Sequence, residues 1–162
     1  MIRDVTADDA QQICEIYNHY VLNTIITFEE EPVPVDEMRS RIVQTIEKLP
    51  WIVYENNGQI AGYAYASEWK SRCAYKHSLE TTVYLRDGES GNGIGSALYS
   101  ELLDRLKAQH FHAAIGGISL PNEASIALHE KFGFEKIGQF REVGYKFDKW
   151  IDVGYWELIF HK

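Results

Sequence analysis

The stretch HSLETTVYLRDGESGNGIGSALYSELLDRLK constrains this chain more than any other. Residues 77–85 alternate as a strand does, with Leu79, Thr81, Val83 and Leu85 on one face and Glu80, Thr82 and Tyr84 on the other. Gly88, Gly91, Gly93 and Gly95 then fall within eight positions, and a helix-like run follows over about 94–109. A strand, a glycine turn and a helix in direct succession form a unit of α/β architecture. The turn has two readings. Its free N–H groups and the helix dipole suit a phosphate that small residues let approach closely. Alternatively, the glycines serve only the conformation of the turn.

Two familiar nucleotide loops fail on single residues. A Walker-type loop starting at Gly88 reaches its second glycine at Gly93, but Ile94 stands where lysine is required. A dinucleotide fingerprint starting at Gly91 would need glycine at 96, which is Ser96.

The rest of the chain reads as further helices and strands without a linker or repeat. A helix starts at Thr6, with Asp8 and Asp9 in its first turn and Ile13, Ile16, Tyr17 and Tyr20 at helical spacing. TIITFEEEPVPV is a loop or short edge segment, with Glu29, Glu30 and Glu31 as a solvated run, and a second helix spans about 36–48. Asn57-Gly58 marks a hairpin between two β-rich runs. AAIGGISL is a strand, and Asn122 opens a helix that stops at Gly133. The aromatic-rich tail reads as two strands around an irregular connection, mostly core or subunit interface. The predicted order is ααβββαβαββ, in one α/β domain over 1–162.

Composition narrows the function classes. A net charge of −8 argues against a nucleic-acid partner. No apolar run approaches the roughly 18 residues of a membrane helix, so no membrane partner is expected. MIRDVTADDAQQI lacks the apolar centre of a signal peptide, and Cys14 and Cys73 are read as reduced thiols, so a cytoplasmic location is expected. His110 and His112 have no evident third ligand, and no metal is expected.

Two segments carry a family resemblance. Ser90-Gly91-Asn92-Gly93-Ile94-Gly95 resembles the [RQ]-x-x-G-x-[GA] acetyl-CoA signature of the GNAT acetyltransferases, with Ser90 in place of Arg or Gln. LPNEASIALHEKFGF resembles the family's second signature, N-x-x-[AS]-x-x-x-[YH]-x-x-x-G-F. The likeness extends over nearly the whole chain and is closest to the phosphinothricin acetyltransferase branch, through TFEEEPV, WKSRCAYKHSLETTVYL and VGYKFDKWIDVGYW. It implies a GNAT-type fold, a mixed central sheet flanked by helices, a homodimer, and acetylation of the α-amino group of amino acids such as phosphinothricin, methionine sulfoximine or methionine sulfone.

On that reading, acetyl-CoA lies against Val83, Tyr84, Leu85, Gly91, Asn92, Gly93, Ile94, Gly95, Ser96 and Asn122. Glu80, in an otherwise uncharged strand before the turn, is the expected base; the alternative is a solvated strand carboxylate. Asn122, Ser125, Ile126 and His129 share one helix face, and His129 is the expected acid for the thiolate; the alternative is a half-buried histidine behind a cap. Lys70, Arg72 and Tyr75 are expected to meet the acceptor's anionic groups, or else to form an ordinary basic loop. Phe28 matches a pocket aromatic of the branch. The competing readings are an acetyltransferase for a peptide N-terminus or a polyamine, and a coenzyme-A-binding sensor without turnover.

Overall fold

A computed structural model describes residues 1–161. Strands β1 (Ile2–Asp4), β2 (Trp51–Asn56), β3 (Gln59–Glu68), β4 (Ser78–Leu85), β5 (Ala113–Ser119), β6 (Glu135–Lys146) and β7 (Lys149–Ile159) form one seven-stranded sheet in the order β1-β2-β3-β4-β5-β7-β6. Helices α1 (Ala10–Asn23), α2 (Val35–Ile46), α3 (Ile94–Ala108) and α4 (Glu123–Lys131) complete the α/β fold. Every strand pair is antiparallel except β4 with β5. The α3 crossover returns the chain in the same direction, as a parallel pair requires.

Period-two alternation divides the core between the two faces. Trp51, Val53 and Tyr63 point toward α1 and α2 and pack with Ile13, Ile16, Tyr17 and Ile42. Their neighbours Ile52, Ala64 and Ala66 point the other way and pack under Leu98, Leu102 and Leu106 of α3. Between β2 and β4 the first face is therefore the richer in aromatic side chains. Beyond β5 the second face continues through Ala114, Ile118 and Trp156 under Tyr99 and Leu103, with Phe134 behind α4.

The structure differs from the sequence reading in three places. A seventh strand, β1, pairs with β2 through only three residues, too few to show a period. Thr6 does cap the first helix in a capping box, but Ala7–Asp9 is a 3-10 turn and the α-helix starts at Ala10. The buried Asp9 carboxylate there accepts from the Thr6 N–H and from two Arg3 nitrogens at 2.8–2.9 Å. The tail has no irregular connection and its outer strand is not core. Phe147 and Asp148 form a tight turn at positive φ, 51° and 58°, and the irregularity lies inside β6, whose register shifts at Lys136/Gly138 and Phe140/Gly144. Phe140, Val143, Tyr145 and Trp150 stand exposed on this hairpin.

Candidate active site

β4 and β5 pair only at Ser78–Glu80 with Ala113–Ile115, and then part. β4 continues to Leu85 against β3 alone, while β5 continues to Ser119 against β7 alone. The gap leaves the β5-facing edge of residues 81–85 without a strand partner, although each backbone unit there carries a donor or an acceptor. Two connected hollows open along this gap.

The first is a groove of about 500 Å³ that runs from β4 to the glycine turn. Val83, Tyr84, Leu85, Gly91, Gly93, Gly95, Ser96 and Asn122 line it, as expected from the sequence. Gly91 and Gly93 have φ of +85° and +78°, and a Cβ on either would meet no atom within 4 Å, so it would project into open space. Gly93 is also the N-cap of α3, whose free N–H groups and dipole favour an anion. The cradle therefore fits a pyrophosphate, and the unpaired β4 edge fits a chain bearing amides.

Two expected groove residues fall elsewhere. Ile94 is buried in the α3 core, and the exposed Asn92 side chain does not line the groove, so neither offers more than backbone. Sequence reasoning missed Lys131, whose Nζ donates to Ser96 Oγ at 3.0 Å beside the turn. Ala124, Ala127, Leu128 and Lys131 all line the groove at i, i+3, i+4 and i+7, a helix face that the spacing alone could have shown. Tyr20 was missed as well, and its Oη donates to the Leu85 carbonyl at 2.6 Å.

The second hollow, about 390 Å³, joins the groove at Ile26, Val83, Tyr84, Asn122 and Ser125. Its walls come from loop 24–34, β4 from Glu80 onward, Gly117–Ser119 of β5, α4, and the β6–β7 hairpin through Val143, Val153 and Tyr155. Glu80 and His129 both line it, and so does Phe28. The Glu80 carboxylate makes no hydrogen bond or ion pair among the described residues, and burial alone raises it above the usual carboxylate range. Gly117 lies beside it: a Cβ there would stand 3.7 Å from Glu80 Oε1 and 3.2 Å from the Tyr155 ring.

His129 is only 4% exposed, and both its nitrogens are engaged. Nδ1 is 2.7 Å from the Ser125 carbonyl, which can only accept, so Nδ1 carries the proton. Nε2 then accepts from Tyr99 Oη at 2.8 Å, and Tyr99 accepts from Thr81 Oγ1 at 2.6 Å. Burial holds the ring below the ordinary histidine range, and the bond to Ser125 works the other way. Gly116 makes room for the ring, since a Cβ at 116 would come 2.4 Å from Nε2. Asn122 caps α4 by accepting from the Ser125 N–H at 3.1 Å, and Ile126 of the same predicted face packs into the core instead.

Lys70, Arg72 and Tyr75 do not line this hollow. Their loop bends through a 3-10 turn at Cys73–Tyr75 and lines a separate groove with Lys48, Leu49 and Phe111, of which Leu49 and Phe111 pack against the aliphatic core. Glu80 lies on the aromatic side of β4, beside Tyr65 and Thr82, so one strand divides the basic loop from the carboxylate. Lys70 also reaches over the Trp69 ring, 5.1 Å away, and Trp69 contacts Tyr155 at the pocket's edge. Glu29 stays partly exposed and is paired, its Oε1 accepting from Arg41 at 2.7 Å. Cys14 and Cys73 are unpaired, and among the described residues no group of three His, Cys, Asp or Glu side chains is placed to hold a metal.

Comparison with known proteins places the chain and its fold in one family. The family described as "Acetyltransferase (GNAT) domain" matches residues 2–154. The phosphinothricin N-acetyltransferase of Streptomyces viridochromogenes is 40% identical over 159 residues, covering 98% of this chain and 87% of that protein. The L-methionine sulfoximine/L-methionine sulfone acetyltransferase of Salmonella typhimurium is 34% identical over 158 residues, covering 97% and 92%. The crystal structure of a phosphinothricin acetyltransferase from Sinorhizobium meliloti in complex with acetyl-CoA superposes with a TM-score of 0.95 at 37% identity, covering 98% of this chain and 87% of that one.

Proposed function

Because the chain belongs to the GNAT acetyltransferases, we propose that it acetylates the α-amino group of a small amino acid of the phosphinothricin and methionine sulfoximine type, with Glu80 as base. It is an N-acetyltransferase, and acetyl-CoA is its cosubstrate. The single observation that carries the proposal is Glu80: a half-buried carboxylate without a partner, in a hollow continuous with the glycine-turn groove.

Acetyl-CoA lies in the groove, with its pyrophosphate at the turn and its pantetheine amides along the free edge of Val83–Leu85. The thioester then sits where the two hollows meet, and a β4 backbone N–H near Val83 meets its oxygen as that becomes an oxyanion. Glu80 takes a proton from the acceptor's ammonium, directly or through water, and the free amine attacks the thioester carbon. When the C–S bond breaks, the amide forms and the thiolate takes the second proton from the former amine. His129 can supply that proton only by giving up its bond to the Ser125 carbonyl. Its proposed task is therefore positional: it ties α4 to β4 through Tyr99 and Thr81.

Among the described residues no lysine or arginine lines the acceptor hollow. The exposed β6–β7 hairpin, which reaches the hollow through Val143, is assigned to the interface of a homodimer. The unpaired cysteines suit a cytoplasmic enzyme.

The test follows thiol release from acetyl-CoA with methionine sulfone, methionine sulfoximine and phosphinothricin as acceptors. Saturable release with one of them, lost in Glu80→Gln, supports the proposal. Silence on all three while coenzyme still binds would overturn the acceptor class.

A further inference from the structure

Loop 24–34 walls the acceptor hollow without regular secondary structure, yet it is fastened at consecutive residues. The Thr27 hydroxyl lies 2.9 Å from Tyr17 Oη of α1. The Thr27 carbonyl accepts from Lys146 Nζ of β6 at 2.8 Å. The Phe28 ring lies in a notch at Gly144, where a Cβ would stand 2.4 Å from Cζ and 2.5 Å from Cε2.

Neither β6 residue is accounted for by its own strand. Lys146 is 2% exposed, and the bond to Thr27 is its ammonium's one hydrogen bond among the described residues. The Phe147 ring 5.1 Å away and the charge of Glu30 also favour the ammonium, but its one hydrogen bond goes to the loop, and methionine would fill the same space without a charge to bury. Gly144 lies outside the left-handed region, so its backbone has no need of glycine, and a glycine weakens the strand that holds it. What requires the missing Cβ is the Phe28 ring, and what uses the amine is the Thr27 carbonyl. Both exceptions therefore point to the same two residues of the acceptor wall.

We infer that Gly144 and Lys146 are positioning residues that hold Phe28 and Thr27 in the acceptor wall and thereby set which acceptor side chains the hollow takes. This rests on the acceptor reading above. A ring displaced by about 1 Å in such a wall is enough to cost on the order of 10²-fold in turnover when the reacting groups lose alignment.

The experiment compares Gly144→Ala, Lys146→Met, Phe28→Ala and the double variant Gly144→Ala/Phe28→Ala. Three readouts are taken: kcat and KM for methionine sulfone and phosphinothricin, acetyl-CoA binding by calorimetry, and, in the parent and the two single β6 variants, the rate of chymotryptic cleavage after Phe28. The expected result for Gly144→Ala is an acceptor KM raised by about tenfold, unequally for the two acceptors, with acetyl-CoA binding within about twofold of the parent. In the Phe28→Ala background the same change should shift KM by less than about twofold, because the ring that needs the notch is gone. Lys146→Met is expected to melt no lower than the parent yet to be cut faster after Phe28. An equal effect of Gly144→Ala in both backgrounds, or unchanged cleavage after Phe28 in both β6 variants, overturns the inference. If neither acceptor is turned over, the acceptor reading itself has failed, and the cleavage rates alone decide whether β6 fastens the loop.

Discussion

The two halves of the site are built in opposite ways. The coenzyme half is contiguous in sequence: the end of β4, the glycine turn and the first turn of α3, with one face of α4 laid beside them. The acceptor half draws short runs from loop 24–34, β4 and β5 and scattered residues from α4, β6 and β7, spread over more than a hundred positions. The first half works mainly through backbone groups and a dipole, the second through individual side chains. A substitution in the first should therefore act on one ligand's affinity, and one in the second on chemistry or on acceptor choice.

The largest expected effect probes the acceptor half. Glu80→Gln should lower kcat by about 10²-fold or more, the scale of losing a general base. In the parent enzyme kcat/KM should rise with pH through Glu80's raised value, because only the carboxylate accepts a proton, and the variant should lack this limb. The stability sign is opposite. A carboxyl raised by burial is held more favourably protonated, so its penalty to the fold grows as pH climbs from the unfolded value to the folded one. At pH 7 the variant should melt at the parent's temperature or above. A drop in melting temperature in parallel with activity would mean that Glu80 serves the fold instead.

Next comes the coenzyme half. Gly93→Val forces a β-branched residue to positive φ at the mouth of the groove, at a cost of about 1–3 kcal/mol. The KM for acetyl-CoA should rise by about tenfold while acceptor KM stays within about twofold. Equal changes in both would erase the distinction between the halves. Tyr99→Phe, at the seam, removes the donor to His129 Nε2 and the acceptor of Thr81 and should cost about 1–3 kcal/mol in denaturant unfolding. Smallest is Lys131→Met, which should weaken coenzyme binding by about three- to tenfold, and less so at high salt.

Legibility followed the same division. The period of β4, the glycines and the cap at Asn122 are local signals, and local signals specify contiguous structure. Much of the groove could be read residue by residue, but Ile94 turns into the core, the Asn92 side chain lies outside the lining, and Tyr20 and Lys131 were missed. The wall at Thr27 and Phe28 depends on Gly144 and Lys146, more than a hundred positions away, and no periodicity links them. Lys70, Arg72 and Tyr75 show the converse error. They lie close to Glu80 in sequence, but the strand between them separates the faces. β1 was missed because three residues cannot display alternation, and its place is set by pairing to β2.

The parting of β4 from β5 has a consequence for how the protein behaves among its neighbours. An unpaired strand edge is a template on which foreign chains can aggregate, and folds usually shield it with charges, prolines or a covering helix. Here the open edge, residues 81–85, lies within the sheet and not at its border, recessed between α4 and loop 24–34. The ligand's amides can take the empty strand position, so occupancy completes the sheet. The recess keeps a foreign strand away from the edge, while a slender chain bearing amides still enters it.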